Sequence, residues 1–179
     1  MNKLVSKLLS SAHPYCNIGQ GPETYMERWW LKMWTAEDPI SIRLHYIRRS
    51  DTDRAMHDHP WATTSIILDG HFVEVTPEDQ KQEPAKDRTN YKMIRYEQGS
   101  VISRKPTDRH RLIVPPGGVW TMFFMGAYEQ MWGFYDMDLN KKVPWREYLG
   151  NSLQTAESSS DRQREALAHA VQQALQSAP

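Results

Sequence analysis

The stretch that decides the fold reads His57-Asp58-His59-Pro60-Trp61-Ala62-Thr63-Thr64-Ser65-Ile66-Ile67-Leu68-Asp69-Gly70. From Trp61 to Leu68 the composition is that of a β-strand, and Asp69-Gly70 is a hairpin signal with His71 to Val75 as the returning strand. In an extended chain alternate side chains share a face. His57 and His59 then aim together, with Trp61 and Thr63 on the same side. Two imidazoles converging from one strand begin a metal site. A third, His110, stands at the head of another strand-like run, His110 to Val114.

Working outward, short strands recur. Ile40 to Arg48 alternates, with Ile42, Leu44 and Tyr46 on one face and Arg43, His45 and Ile47 on the other. Tyr91 to Tyr96, Val101 to Ser103, Val119 to Met125 and Trp132 to Asp136 follow, with Gly99 and Pro115-Pro116-Gly117-Gly118 as turns. Glu23 to Trp34 is aromatic, and periodicity leaves strand or short helix open. Thr76 to Thr89 is charged, holds two prolines and reads as an exposed loop. Many short strands separated by Gly/Pro turns predict an all-β antiparallel sandwich or barrel. The ends differ. Met1 to Ser11 carries Leu4, Val5, Leu8 and Leu9 at helical spacing. Asn151 to Ser160 reads as a Ser/Thr-rich linker, and Asp161 to Ser177 as a helix with Leu167, Val171 and Leu175 on one stripe and Ser160 as N-cap. The expected organisation is one domain over residues 1–150 and a linker with a helical tail over 151–179.

Composition narrows the function. With 179 residues the chain is long enough for one full core. Lys+Arg and Asp+Glu both number 22, so the net charge is zero and no field favours nucleic acid or anionic lipid. No apolar stretch has the length of a membrane span. Cys16 is the single cysteine, which excludes an internal disulfide and fits a reducing, cytoplasmic compartment. The surroundings of Cys16 suggest no nucleophile.

The segment His57 to Gly70 resembles the first motif of the cupin superfamily: His-x-His, then a Glu, then six residues and a Gly. The Gly falls on Gly70 and the Glu position on Thr63. The second cupin motif opens on a Gly and has its His eleven residues later, matched by Gly99 and His110; its proline is displaced by one, at Pro106, and its inner glycine is replaced near Asp108. The resemblance covers roughly Ile40 to Asp136. With His-Asp-His-Pro-Trp and the later Trp145-Arg146-Glu147, the chain is similar to a group of small bacterial and phage cupins. The resemblance implies a double-stranded β-helix (jelly-roll) barrel with a short N-terminal and a C-terminal helix, and one divalent metal on His57, His59 and His110. Thr63 departs from the pattern, because a neutral hydroxyl is a poor ligand for a divalent transition metal. Three neutral imidazoles leave coordination positions open, as in the similar three-histidine thiol dioxygenases. Fe(II) is the first expectation for the metal; imidazole equally suits Zn, Ni, Mn or Cu.

Arg43 and His45 share a strand face; if it lines the barrel, Arg43 is placed to clamp a carboxylate or phosphate. If the alternate face points inward, Arg43 is solvated. Trp61, on the histidine face, is a candidate pocket wall, and Tyr135 a candidate phenol. Asp53, in the loop before His57, is a candidate to orient it, while Asp58 points to the other face and Glu74 falls outside the motif register. Arg104, Lys105, Arg109 and Arg111 cluster around His110, either as an anion site or as a solvated loop. Three functions remain open: an iron(II)-dependent dioxygenase of a small polar molecule, a non-catalytic sugar-, nucleotide- or protein-binding module, and a metal-assisted isomerase or hydrolase. Homodimerisation is expected by analogy, with Trp29-Trp30 as the surface or, equally, as a cover for their own barrel.

Overall fold

A computed structural model describes residues 2–18, 24–51 and 55–149. After helix α1 (Lys3–Ser10) come strands β1 (His13–Ile18), β2 (Met26–Lys32), β3 (Ser41–Ile47), β4 (Met56–His57), β5 (Thr63–Asp69), β6 (His71–Pro77), a 3-10 helix Pro84–Arg88, β7 (Tyr91–Glu97), β8 (Val101–Arg104), β9 (Arg111–Ile113), β10 (Val119–Met125), β11 (Gly133–Asp136), β12 (Lys141–Pro144) and helix α2 (Trp145–Leu149). One layer is a six-stranded sheet in the order β1-β2-β3-β10-β5-β8. The other holds two three-stranded sheets, β7-β6-β9 and β12-β11-β4. All pairings are antiparallel. This is an antiparallel barrel, as the strand pattern predicts, and a jelly roll, as the cupin resemblance implies.

Among the described residues, one backbone bridge joins the two small sheets. His57 N donates to His110 O at 2.8 Å and His110 N to His57 O at 2.9 Å. Met26, Ile47, Ile67, Ile102 and Val119 of the large sheet pack on Phe72, Leu112 and Val114 of the opposite layer, closing the apolar end of the barrel. On the outer face, Val5 of α1 is fully buried with Leu44 and Leu68. Asn2 caps α1, its side chain accepting from Leu4 N while its own Nδ2 donates to Leu68 O.

The inner face of β3 is the one carrying Ser41, Arg43, His45 and Ile47, all buried. Trp30 faces inward over Arg43, whereas Trp29 stacks on Trp120 on the outer face beside α1, with centroids 5.4 Å apart. Several local expectations are corrected. Asp69-Gly70 makes no hairpin, because β5 pairs with β10 and β8 whereas β6 pairs with β7 and β9. Gly70 is a corner at which the chain changes layer. His57 and Thr63 do not share one strand: residues 58–62 break the extended run between β4 and β5. The segment read as an exposed loop continues β6 through Pro77, and Asp87 within it is buried. Of the segment Glu23 to Trp34, Met26–Lys32 is strand β2, while β1, β12 and α2 carried too few apolar alternations to be read. The predicted C-terminal helix and its linker lie outside the described residues, and no helix among those described is long and apolar enough to cross a membrane.

Gly118, at the corner between β9 and β10, has φ +68°, and a Cβ there would meet Ile47 O and Tyr46 Cε2 at 2.7 Å. Gly99 has φ +89° but open space around it. Left-handed strain is common to both, so the difference is steric. Gly99→Ala is expected to cost about 1 kcal/mol and Gly118→Ala clearly more; urea midpoints of the two variants check the order.

Candidate metal centre

The bridge that joins the two small sheets also brings the imidazoles together. His57 and His110 exchange both backbone hydrogen bonds, so their side chains stand side by side, with ring centroids 4.9 Å apart. His59 enters from the irregular segment after β4, fixed by its N–H to Pro106 O at 3.1 Å. One ligand atom from each of His57, His59 and His110 lies within 4.8 Å of the others, and His59 Nε2 and His110 Nε2 are 2.9 Å apart. Two imidazole nitrogens at about 2.1 Å from one ion in neighbouring octahedral positions stand about 3.0 Å apart, so that pair fits a shared cation. Burial, foremost, and neighbouring positive charge hold the His59 and His110 imidazoles well below the usual histidine range, in the neutral form that ligates.

Behind His110 stands a carboxylate that the motif register does not contain. His110 Nδ1 donates to Glu74 Oε1 at 2.5 Å, and Arg104 Nε donates to the same oxygen at 2.6 Å. Glu74 on β6 and Arg104 at the end of β8 are both buried along their side chains. A carboxylate on Nδ1 fixes the ring and its tautomer and leaves Nε2 as the ligating lone pair. No sequence spacing signals Glu74, because its proximity comes from the β6–β9 pairing, which sets Glu74 opposite Leu112. Asp51 lies beside His57, Oδ2 to Nδ1 at 3.9 Å, beyond hydrogen-bond reach, and accepts from Leu112 N at 2.6 Å. Asp53 lies outside the described residues.

Asp58, between two of the histidines, is fully buried and points away from them. It accepts from Gly133 N, Gln130 Nε2, the Tyr135 hydroxyl and Lys142 Nζ. This hub pins the irregular segment to β11 and β12, and Gln130 Nε2 also donates to His59 O and Pro106 O. Tyr135 is thereby turned to Asp58, with its phenol pushed well up by burial and by that carboxylate, and the structure does not bring it to the histidines.

Among the other candidates, Thr63 is buried on the inner face, opposite Arg104, and its hydroxyl has no hydrogen-bond partner among the described residues. Trp61 is half-buried with the Arg43 guanidinium 5.8 Å from its ring centroid. His45 stacks on Phe123 at 4.8 Å. The basic cluster around His110 is divided: Lys105 is exposed on the loop, its N–H donating to Asp108, whereas two of the arginines are paired inside. Arg104 is held by Glu74, and Arg109 is buried with Nη2 donating to Asp87 and to Gln82 O.

No family model matches the chain, and no curated protein matches it in sequence. Solved structures do match its backbone. A cupin 2 conserved barrel domain protein from Rhodopseudomonas palustris superposes with TM-score 0.50 at 14% identity, over 70% of this chain and 79% of that one. An rmlc-like cupin protein from Ralstonia eutropha gives 0.47 at 12% identity, over 81% and 82%. Fe(II)-HppE with the alternative substrate (S)-1-HPP gives 0.48 at 12% identity, over 65% of this chain and 56% of that one, so the chain spans little more than half that protein's length. The chain has the cupin fold.

Two outcomes follow from the buttressed histidines. Glu74→Gln keeps the shape but removes the charge on His110 Nδ1, and zinc affinity is expected to fall by about 10–100-fold with the fold retained, as read by competition with a chromophoric chelator. In the metal-free protein, burial first of all holds His45, His59 and His110 below the ordinary value of 6.5. The unfolded chain takes up these protons as pH falls through about 6.5, while the folded chain stays neutral. Stability is therefore full above that pH and declines below it, by up to about 1.4 kcal/mol per pH unit for each group. Urea midpoints between pH 7.5 and 5.5 should show the decline, and His45→Gln should make it shallower.

Proposed function

We propose that the chain is a mononuclear metal-dependent oxidoreductase acting on a small polar molecule. His57, His59 and His110 hold the ion, with Fe(II) preferred and Zn, Ni or Mn as alternatives. The observation that carries this reading is the neutral three-imidazole cluster with its carboxylate set behind His110 and a hydroxyl, Thr63, at the motif's acidic position. A divalent ion there supplies Lewis acidity, one-electron chemistry where the metal is iron, and open coordination positions.

The chain's own residues do the rest. The Glu74–Arg104 pair holds the His110 ring in one orientation. Asp58 and Gln130 fix the backbone of His59. Phe123 and Phe134, with ring centroids 6.3 Å from His59 and 5.8 Å from His57, give the cluster apolar walls. The lone cysteine, Cys16, supports a reducing cytoplasmic setting.

Metal analysis of protein purified without chelators tests the reading. About one transition-metal ion per chain is expected, lost in His57→Ala and His110→Ala. Oxygen uptake by the iron-loaded protein with small thiols or acids then checks the reaction class. Metal-free protein whose stability is unchanged in His57→Ala would overturn metal binding. Stoichiometric iron without oxygen uptake on any candidate would instead favour a non-catalytic binding module.

A further inference from the structure

Holding a metal ion uses groups from β4, the segment after it and the start of β9. The large sheet opposite carries further buried polar groups, on β2, β3 and β10, that play no part in holding a metal ion. Strand register sets them side by side. Arg28 stands opposite His45, and Trp30 opposite Arg43, between β2 and β3. Thr121 stands opposite His45, and Phe123 opposite Arg43, between β10 and β3. One row further along the same face, Met26, Ile47 and Val119 are apolar and belong to the core. The inner face is thus divided into an apolar end and a polar end.

Three features of the polar end point to a ligand. Arg43 is 1% exposed, and its guanidinium is framed by two indoles, 5.1 Å from the Trp30 centroid and 5.8 Å from that of Trp61. His45 is 3% exposed, and its Nε2 has no hydrogen-bond partner among the described residues. The Phe123 ring lies 4.8 Å from His45 and 6.3 Å from His59, so one phenyl ring spans the distance between His45 and the cluster. Thr63 Oγ1, also buried on this face, is the third, being likewise without a partner among those residues. A buried polar atom left unpaired costs about 1–3 kcal/mol, and a bound molecule that pairs with it removes that cost. Arg28 stands opposite His45, and Arg43 lies two residues before His45 on the same buried face, so this end of the sheet carries guanidinium groups beside the unpartnered His45 Nε2.

We propose that the polar end is the subsite for the negatively charged group, a carboxylate or phosphate-like oxyanion, of a small molecule whose other end faces His57, His59 and His110. Arg43 supplies the charge and a planar pair of donors. His45 Nε2 supplies one more hydrogen bond, and the Trp30 and Trp61 rings hold the guanidinium in place. That the anion belongs to a substrate rests on the metal-enzyme reading above; the existence of the subsite does not.

The full-length protein, metal-free and metal-loaded, is titrated by calorimetry with acetate, with inorganic phosphate and with uncharged acetamide. Saturable binding of acetate or phosphate to the metal-free protein is expected, with none of acetamide. Arg43→Met is expected to weaken the anion about tenfold or more, and His45→Gln severalfold, in line with loss of a charge-assisted hydrogen bond and of a neutral one. If Arg43→Met fails to fold, Arg43→Lys, which keeps the charge and loses the planar fork, takes its place with the same direction expected. Anion binding that appears only with metal and is unchanged in Arg43→Lys and His45→Gln would assign the anion to the ion itself and overturn the subsite. So would a metal-free wild type that binds neither anion. A protein that never takes up metal but binds acetate through Arg43 would sink the metal reading and leave the subsite standing.

Discussion

The reciprocal backbone bridge between His57 and His110 is the constraint on which the rest of the molecule depends. Two short strands, β4 and β9, belong to different three-stranded sheets, and this pair of hydrogen bonds makes the two sheets one layer. The same contact determines chemistry. A hydrogen-bonded antiparallel pair puts its two side chains on one face as direct neighbours. Closing the barrel and juxtaposing the imidazoles are therefore one event, and the site forms only in the folded layer. Metal affinity and stability of this layer are linked for that reason.

Burial decides how the charged residues around the cluster are used. An isolated charge in the interior is expensive, and breaking a buried pair leaves its partner uncompensated. The interior groups are accordingly joined in sets. Arg104 and His110 converge on Glu74; Arg109 is held by Asp87 and Gln82; Lys142, Tyr135, Gln130 and Gly133 N converge on Asp58. Each set ties a loop or short strand to a neighbour that hydrophobic packing would hold only loosely. The Asp58 set matters most for function. Residues 58–62 are irregular, and a histidine on an irregular segment points wherever its backbone is anchored.

The sequence made legible what depends on period and local turn chemistry. Val119 to Met125 was predicted as a strand and is β10 without change, and Gly118 and Gly70 mark real interruptions. The all-β antiparallel class followed from strand count, and the convergence of His57, His59 and His110 from the cupin resemblance that their spacing carries. What stayed hidden depends on pairing between distant segments. Asp-Gly is the same dipeptide in a hairpin turn and at a corner between layers, and only the partners of β5 and β6 tell them apart. Glu74 is one of several inward residues on β6, and nothing near it in the chain marks it as the residue that will meet His110. The face of β3 was ambiguous for the same reason: Leu44 is buried against α1 on one side, and Arg43 is buried inside the barrel on the other. A strand covered on both faces shows no single polar face.

Thr63 and Glu74 are best understood together. A carboxylate at Thr63 would place negative charge beside the three imidazoles and fill a coordination position. In this chain the hydroxyl at that place is neutral, and the acidic group stands behind His110, bonded to its Nδ1. Its charge still acts on the cluster through the imidazole, since a carboxylate on Nδ1 raises the basicity of Nε2. Arg104, bonded to the same carboxylate, limits that effect. The arrangement therefore separates two tasks that a single acidic ligand would combine. Glu74 orients and strengthens the histidine ligand, and the space at Thr63 stays free of charge. An anion arriving from the Arg43 side then meets no repelling carboxylate at the position nearest to the motif's acidic ligand, so the substitution that weakens the site by the family pattern is the one that makes room for an anionic partner.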